Sequence, residues 1–230
     1  MKSYIPNFIT LLNLYSGCVA VIFALEGDMK WTAFFVCLGI FFDFFDGLLA
    51  RKLNVQTALG LQLDSLADMV TSGVVPGLVL FHLLGLASPP SWETTGLLPY
   101  FGLLVTLASA YRLANFNVST EQSDAFIGLP TPANTLLIIS LPLLLEYQNS
   151  AAITAIILNP WFLVGLTVLS CYLLNAPIKL IALKFKTWDF KTNATRYLLI
   201  ILSVALLVIF QFAGIPLILL TYILLSFISK

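Results

Sequence analysis

Four aspartates carry most of the chemical information in this chain. Asp43 and Asp46 stand three apart, and Asp64 and Asp68 stand four apart, each pair near the end of an apolar run. In a helix, residues at those spacings share one face. Acidic side chains are costly in a bilayer and mark function there by default. A short loop, residues 51–60, joins the two runs, so both pairs fall at one depth. Four facing carboxylates repel strongly without a counter-charge. Divalent cations bound by hard oxygen ligands relieve that repulsion. Two ions held by four carboxylates suit phosphoryl transfer, where metals steady the phosphate oxygens and the leaving group.

Between the pairs lie Gly47, Ala50, Arg51 and Gly60. Small residues let a bulky ligand approach the backbone closely, and an arginine can fork onto phosphate oxygens. Taken singly, the glycines could serve helix packing, and the aspartates an ion path or a proton relay. An ion path, however, requires none of the Gly47, Ala50, Arg51 and Gly60 set.

The full array, Asp43-x-x-Asp46-Gly47-x-x-Ala50-Arg51-x8-Gly60-x3-Asp64-x3-Asp68, resembles the signature of the CDP-alcohol phosphotransferase family at all eight fixed positions. The resemblance implies a core of six membrane helices, a cytoplasm-facing site for a CDP-alcohol, two divalent cations (Mg²⁺ or Mn²⁺) and a homodimer. It implies replacement of CMP by the hydroxyl of a second alcohol. Carried over, Asp43, Asp46, Asp64 and Asp68 hold the metals. Gly47, Ala50, Arg51 and Gly60, joined by Asn7 and Thr10, line the CDP and pyrophosphate site. Asp68 is also the general base, valuable as much for positioning the hydroxyl as for taking its proton.

Further stretches resemble the prokaryotic type of phosphatidylserine synthase: Ile5-Pro6-Asn7 through Thr10 and Asn13, Leu63 to Val70, Tyr111 to Asn117, and Phe126 to Ala133. This points to CDP-diacylglycerol as donor and L-serine as acceptor. Asn115 is a departure, standing where members often carry arginine. Serine needs a cation for its carboxylate and oxygen acceptors for its ammonium. Arg112 ends an apolar run at the depth of the aspartates, with Asn115 and Asn117 following. Asn134 opens the next run just past Pro132, which places a helix start at Thr131, and a helix start can bind a carboxylate. Arg112, Asn115, Asn134 and Lys184 are therefore the expected acceptor residues. Arg112 could instead be a snorkelling charge, and Lys179, Lys184, Lys186 and Lys191 suit anionic lipid heads. The rival acceptors are glycerol phosphate and inositol phosphate. The rival class is a cation-binding transporter.

These residues must be positioned by membrane helices. Of 230 residues, 60% are hydrophobic and only 10% charged, against about 25% charged in a soluble domain. A span needs roughly 20 apolar residues. The expected architecture is an all-α polytopic membrane protein, one membrane domain over 1–230, with a core of about 1–190 and a C-terminal helical pair. The sequence predicts eight spans, near 6–25, 31–50, 61–85, 97–116, 129–146, 151–174, 195–213 and 215–229, the last two readable also as a re-entrant hairpin. With eight spans, every lysine and arginine except Lys30 falls on the side of the termini. By the positive-inside rule that side is cytoplasmic, here in a prokaryotic cytoplasmic membrane. The net charge is zero, and nothing suggests nucleic acid as a partner.

Cys18, Cys37 and Cys171 lie in apolar runs without metal-type spacing, and the single histidine, His82, reads as packing or interfacial. Lys2 before an apolar run resembles a signal peptide, and Tyr15-Ser16-Gly17-Cys18 a lipoprotein cleavage box. Tyr15 replaces the usual aliphatic residue, and Asn7, Thr10 and Asn13 interrupt the run. The stretch is read as the first membrane helix.

Overall fold

The computed structural model describes residues 4–87, 96–118, 126–181, 189 and 193–228. Almost everything described is helix. Helix α1 (Tyr4–Glu26) turns at Gly27 into α2 (Met29–Lys52), and the two pack along their length. Their contact stripe is made of small or polar residues: Asn13, Gly17, Ala20 and Ala24 on α1, and Ala33, Val36 and Gly39 on α2 are all buried. Their helical spacing and small size let the two backbones approach closely, as small residues do in membranes. Asp28 caps α2 by accepting from Trp31 N at 3.1 Å.

The expected third span is one helical rod with a changed winding in its middle. It comprises α3 (Ala58–Asp68), a π-helical turn (Met69–Val74) and α4 (Val75–Ala87). The π turn contacts α1, α2 and the later helices Leu104–Val118 and Thr131–Tyr147, and its Thr71, Ser72 and Gly73 are buried. A π turn widens the helix by one residue and is frequent at functional sites. Here it follows Asp68 directly. A 3₁₀ turn (Pro99–Leu103) leads into α5 (Leu104–Val118).

Strand β1 (Phe126–Ile127) pairs antiparallel with β2 (Lys179–Leu180), tying the segment before α6 (Thr131–Tyr147) to the segment after the eighth helix. Gly128, at φ +72°, makes the bend between β1 and α6 in a conformation that favours glycine. The expected span 151–174 is two helices, α7 (Ala151–Ile157) and α8 (Pro160–Asn175), bent by 58°. The cause is local: Pro160 starts α8, and Asn159 caps it by accepting from Trp161 N at 2.9 Å.

Helices α9 (Ala194–Phe210) and α10 (Gly214–Ile228) fold back on each other. Gln211, at φ +50°, turns the chain. Gln148 at the end of α6 stitches that turn, donating to Phe210 O and accepting from Ala213 N, both at 3.0 Å. The stretch is thus a packed helical pair joined by a tight turn.

By length and composition, α1, α2, the α3–α4 rod and the folded stretch Ala194–Phe227 are each long and apolar enough to cross a membrane, with the bent α7–α8 pair as a fifth. Helix α6 has 17 residues, below the roughly 20 of an untilted span. Each of the eight expected spans coincides with helix. Their outer faces are apolar and exposed, as at Phe8, Tyr15, Phe44, Val208 and Ile209, which is the surface of a chain solvated by lipid. The main core lies among α1, α2, α4, α6 and α8. The chain is an all-α polytopic membrane protein.

Candidate active site

Helices α2 and α3 deliver the carboxylates as their spacing predicts. Asp43, Asp46 and Asp64 each offer an oxygen within 4.8 Å of the others. At that separation two unit charges repel by about 3.5 kcal/mol at an effective dielectric of about 20. Asp46 is buried, and its Oδ2 has no hydrogen-bond partner among the described residues. A buried, unpartnered carboxylate oxygen beside two more carboxylates is a costly arrangement. A divalent cation removes that cost, and the all-oxygen donor set suits Mg²⁺ or Mn²⁺. The residues present therefore fit the expected metal.

Asp68 stands one turn further along the rod, outside this close trio but within electrostatic range of Asp43, Asp46 and Asp64. It is held from α1. Asn13 Nδ2 donates to Asp68 Oδ1 at 3.3 Å, and Thr71 Oγ1 donates to Asn13 Oδ1 at 2.8 Å. The threonine fixes which way the asparagine amide points, and the amide in turn presents its donor to Asp68. Gly17 and Gly39 make room for this chain. A Cβ at Gly39 would lie 2.7 Å from Thr71 Cγ2 and 2.9 Å from Asn13 Oδ1. Neither Asn13 nor Thr71 was expected in the site. The sequence signals for Asn13 are an amide in an apolar run and its place in the Ile5–Asn13 resemblance, and the π turn that aims Thr71 leaves none.

The expected CDP-binding residues gather beside the trio. Gly47, Ala50 and Arg51 lie on the last turns of α2, and Arg51 is exposed, its Nε donating to Gly47 O at 3.0 Å. Among the described residues, and apart from the helix's own backbone, the neighbour of a Cβ at Gly47 is Arg51 Nη2 at 3.9 Å. Gly60 lies in the first turn of α3, where its N–H donates to the cap residue Thr57 at 3.0 Å. A Cβ at Gly60 would meet Asn7 Oδ1 at 3.2 Å, which places Asn7 at the same spot. Thr10 is buried against Asp46.

The expected acceptor residues divide. Arg112, on the last turns of α5, is half-buried, within electrostatic range of Asp68, and its Nε is buried with no hydrogen-bond partner among the described residues. Asn134, in the first turn of α6, is wholly buried, and neither amide atom is bonded among the described residues. Ser72 Oγ and Ser109 Oγ, which were not expected, are likewise buried and unpartnered. All four come from the π turn and the two helices that grip it: Thr106 Oγ1 donates to Gly73 O, and Thr135 Oγ1 to Ser72 O, both at 3.0 Å. Asn115 is exposed and apart from this set. Its neighbour Asn117 instead pins α5 to α3, accepting from Ser65 Oγ at 3.1 Å. Lys184 lies outside the described residues, and Lys179 is exposed on β2. His82 sits against the Gly27 turn, away from the aspartates, in a packing role.

Comparison with known proteins agrees with this geometry. The CDP-alcohol phosphatidyltransferase family profile matches residues 3–172. A CDP-diacylglycerol–serine O-phosphatidyltransferase of Bacillus subtilis is 35% identical over 134 residues, covering 56% of this chain and 70% of that protein. Proteins of the same name from Helicobacter pylori and Saccharomyces cerevisiae are 32% and 34% identical. Those matches cover 58% and 60% of this chain, and the chain spans only 55% and 53% of those relatives. The carboxylate trio, the small residues beside it and a match running from α1 into α8 lead to one assignment: the chain belongs to the CDP-alcohol phosphatidyltransferase family.

Proposed function

We propose that the protein transfers the phosphatidyl group of CDP-diacylglycerol to L-serine, giving phosphatidylserine and CMP. The observation that carries this reading is the Asp43, Asp46 and Asp64 trio. Gly47, with the exposed Arg51 side chain beside it, adjoins the trio, and Arg112 lies within electrostatic range of Asp68. The names of the relatives supply the donor and the acceptor.

Asp43, Asp46, Asp64 and Asp68 hold two divalent cations, Mg²⁺ or Mn²⁺. When bound, these ions neutralise the pyrophosphate oxygens and the charge of the departing CMP. Gly47 and Gly60 let the nucleotide lie against the backbones of α2 and α3. Arg51 leaves the Gly47 carbonyl and forks onto the pyrophosphate, with Ala50, Asn7 and Thr10 completing that side. Arg112 pairs with the serine carboxylate, and Asn134 serves its polar groups. Asn115 and Lys184 remain part of the proposal for the acceptor side.

The serine hydroxyl oxygen attacks the phosphorus that bears the diacylglycerol. A new P–O bond to serine forms, and the P–O bond to CMP breaks. Asp68, held by Asn13, orients the hydroxyl and receives its proton. Holding both reactants at one surface supplies much of the rate by orientation alone.

The resemblance extends the proposal to a homodimer in a prokaryotic cytoplasmic membrane, with the site facing the cytoplasm and no nucleic acid partner. Residues 1–190 form the catalytic core and 195–229 an appended hairpin. The test is CMP release by purified protein given CDP-diacylglycerol and, in parallel, L-serine, glycerol phosphate or inositol phosphate. Release with serine alone is the expected result. Release only with another alcohol overturns the acceptor, and release with none overturns the reaction.

A further inference from the structure

The π turn has a cause in the sequence and a fastening in the fold. Pro76 stands four residues after Ser72. It has no N–H to give the Ser72 carbonyl, as an α-helix would, and its ring crowds that carbonyl. A second helix supplies the proton: Thr135 Oγ1 of α6 donates to Ser72 O at 3.0 Å. The same hydroxyl lies 2.9 Å from Thr131 O, so its one proton is shared, but Thr131 O also has the backbone N–H of its own helix. From the other side, Thr106 Oγ1 of α5 donates to Gly73 O at 3.0 Å. Gly77 admits that hydroxyl, since a Cβ there would collide with Thr106 Oγ1. Two consecutive carbonyls of the turn are therefore held by hydroxyls from two different helices.

Asp68 stands directly before this turn, and Thr71 lies inside it. Thr71 Oγ1 donates to Asn13 Oδ1 at 2.8 Å, and Asn13 Nδ2 donates to Asp68 Oδ1 at 3.3 Å. This chain of bonds depends on the winding. A π turn holds one residue more than an α turn. Rewinding it as α-helix would rotate Asp68 against α4 by about 100°, one residue's share of a 3.6-residue turn. Thr71 would then no longer face Asn13. Thr71 and Thr135 are wholly buried, so water is poorly placed to replace a lost hydroxyl there.

We propose that Thr106 and Thr135 are positioning residues for the reaction. Their hydroxyls lock the π winding of Met69–Val74, and the lock keeps Thr71, and through Asn13 the carboxylate of Asp68, in its working direction. This rests on Asp68 acting on the acceptor's hydroxyl. Both threonine protons are committed to backbone carbonyls, so the lock bears on turnover and not on substrate affinity.

The experiment uses the full chain in detergent. Thr135→Val and Thr106→Val keep the shape and lose the hydroxyl, whereas Thr135→Ser and Thr106→Ser keep it. Thr167→Val is the control, because that buried hydroxyl donates within its own helix, to Leu163 O at 2.8 Å. CMP release is titrated with CDP-diacylglycerol and with whichever alcohol the wild type uses. Each valine variant is expected to lower kcat roughly tenfold, the scale of one buried carbonyl left without its partner, with both KM values unchanged. The serine variants are expected to restore most of that loss. In an Asn13→Ala background the valine substitutions are expected to add little, because coupled residues are non-additive. Hydrogen–deuterium exchange over residues 69–78, measured without substrate, is expected to quicken in the valine variants and not in Thr167→Val. Wild-type kcat in both valine variants overturns the proposal. So does a loss that serine does not restore, an equal loss in Thr167→Val, or full additivity with Asn13→Ala. A wild type that releases no CMP overturns the assigned reaction, and unchanged exchange overturns the lock whatever the reaction, so the two failures are told apart.

Discussion

Gly39→Ala adds one methyl group and touches no carboxylate, yet it is expected to slow the reaction strongly. The new Cβ would stand 2.7 Å from Thr71 Cγ2 and 2.9 Å from Asn13 Oδ1. Neither atom can retreat easily. Asn13 is wholly buried, and Thr71 is wholly buried on a turn gripped by its neighbouring helices. Overpacking of this kind costs about 1–3 kcal/mol, and the relief available is to push Asn13 off Asp68. That loses the 3.3 Å bond to a carboxylate, a contact worth about 1.5–3 kcal/mol. At about 1.4 kcal/mol per tenfold, kcat falls about tenfold to a hundredfold. Gly165→Ala is the control, since among the described residues nothing beyond its own helix backbone lies within 4 Å of a Cβ there. The assay is CMP release from CDP-diacylglycerol at saturating serine, beside a thermal unfolding scan of each detergent-solubilised variant. Wild-type turnover in Gly39→Ala would refute the view that Thr71 and Asn13 position Asp68.

The remaining predictions concern metal, acceptor and orientation. Excess chelator is expected to abolish turnover, and Mg²⁺ or Mn²⁺ to restore it; Asp43→Asn, Asp46→Asn and Asp64→Asn each lose nearly all activity while still inserting in the membrane. Full activity in chelator would contradict the metal site. Arg112→Lys keeps the charge but loses the planar fork, so the serine KM rises roughly tenfold or more, whereas Arg51→Lys impairs kcat and the lipid substrate; paired titrations separate the two. Reporters fused at Lys2, in the 117–128 loop and at Lys230 are expected in the cytoplasm, and reporters near Asp28 and Pro89 on the opposite side. A C-terminus found outside would contradict the even span count.

The carboxylate site was legible because it is written in local spacing. Spacings of three and four residues from one aspartate to the next fix a helix face whatever surrounds it, and the short loop from Lys52 to Ala58 leaves α3 little choice but to return beside α2. The helices were legible from apolar length. What the sequence hid was winding and cross-helix contact. Residues 61–85 read as one uniform span, since the π turn at Met69–Val74 changes hydrogen-bond register without changing composition. Thr71 and Ser72 consequently face neighbours that a regular helix would not give them. The bend at Asn159-Pro160 was signalled by a capping residue before a proline, but the apolar run across it masked the break. Asn13 and Gln148 act across 55 and 62 residues of chain, a separation that no local pattern encodes. Asn115 shows the converse: its neighbours in sequence suggested a site, while its helix face points it outward.

The most direct test of the central claim follows the oxygen that joins the product. Serine labelled with ¹⁸O in its hydroxyl is incubated with purified protein, CDP-diacylglycerol and Mg²⁺, and lipid and nucleotide are analysed by mass spectrometry. Attack by the serine hydroxyl on the diacylglycerol-bearing phosphorus predicts phosphatidylserine that keeps the label, and one unlabelled CMP for each lipid formed. Phosphatidylserine without the label, or CMP released with no serine in the lipid, would contradict the account.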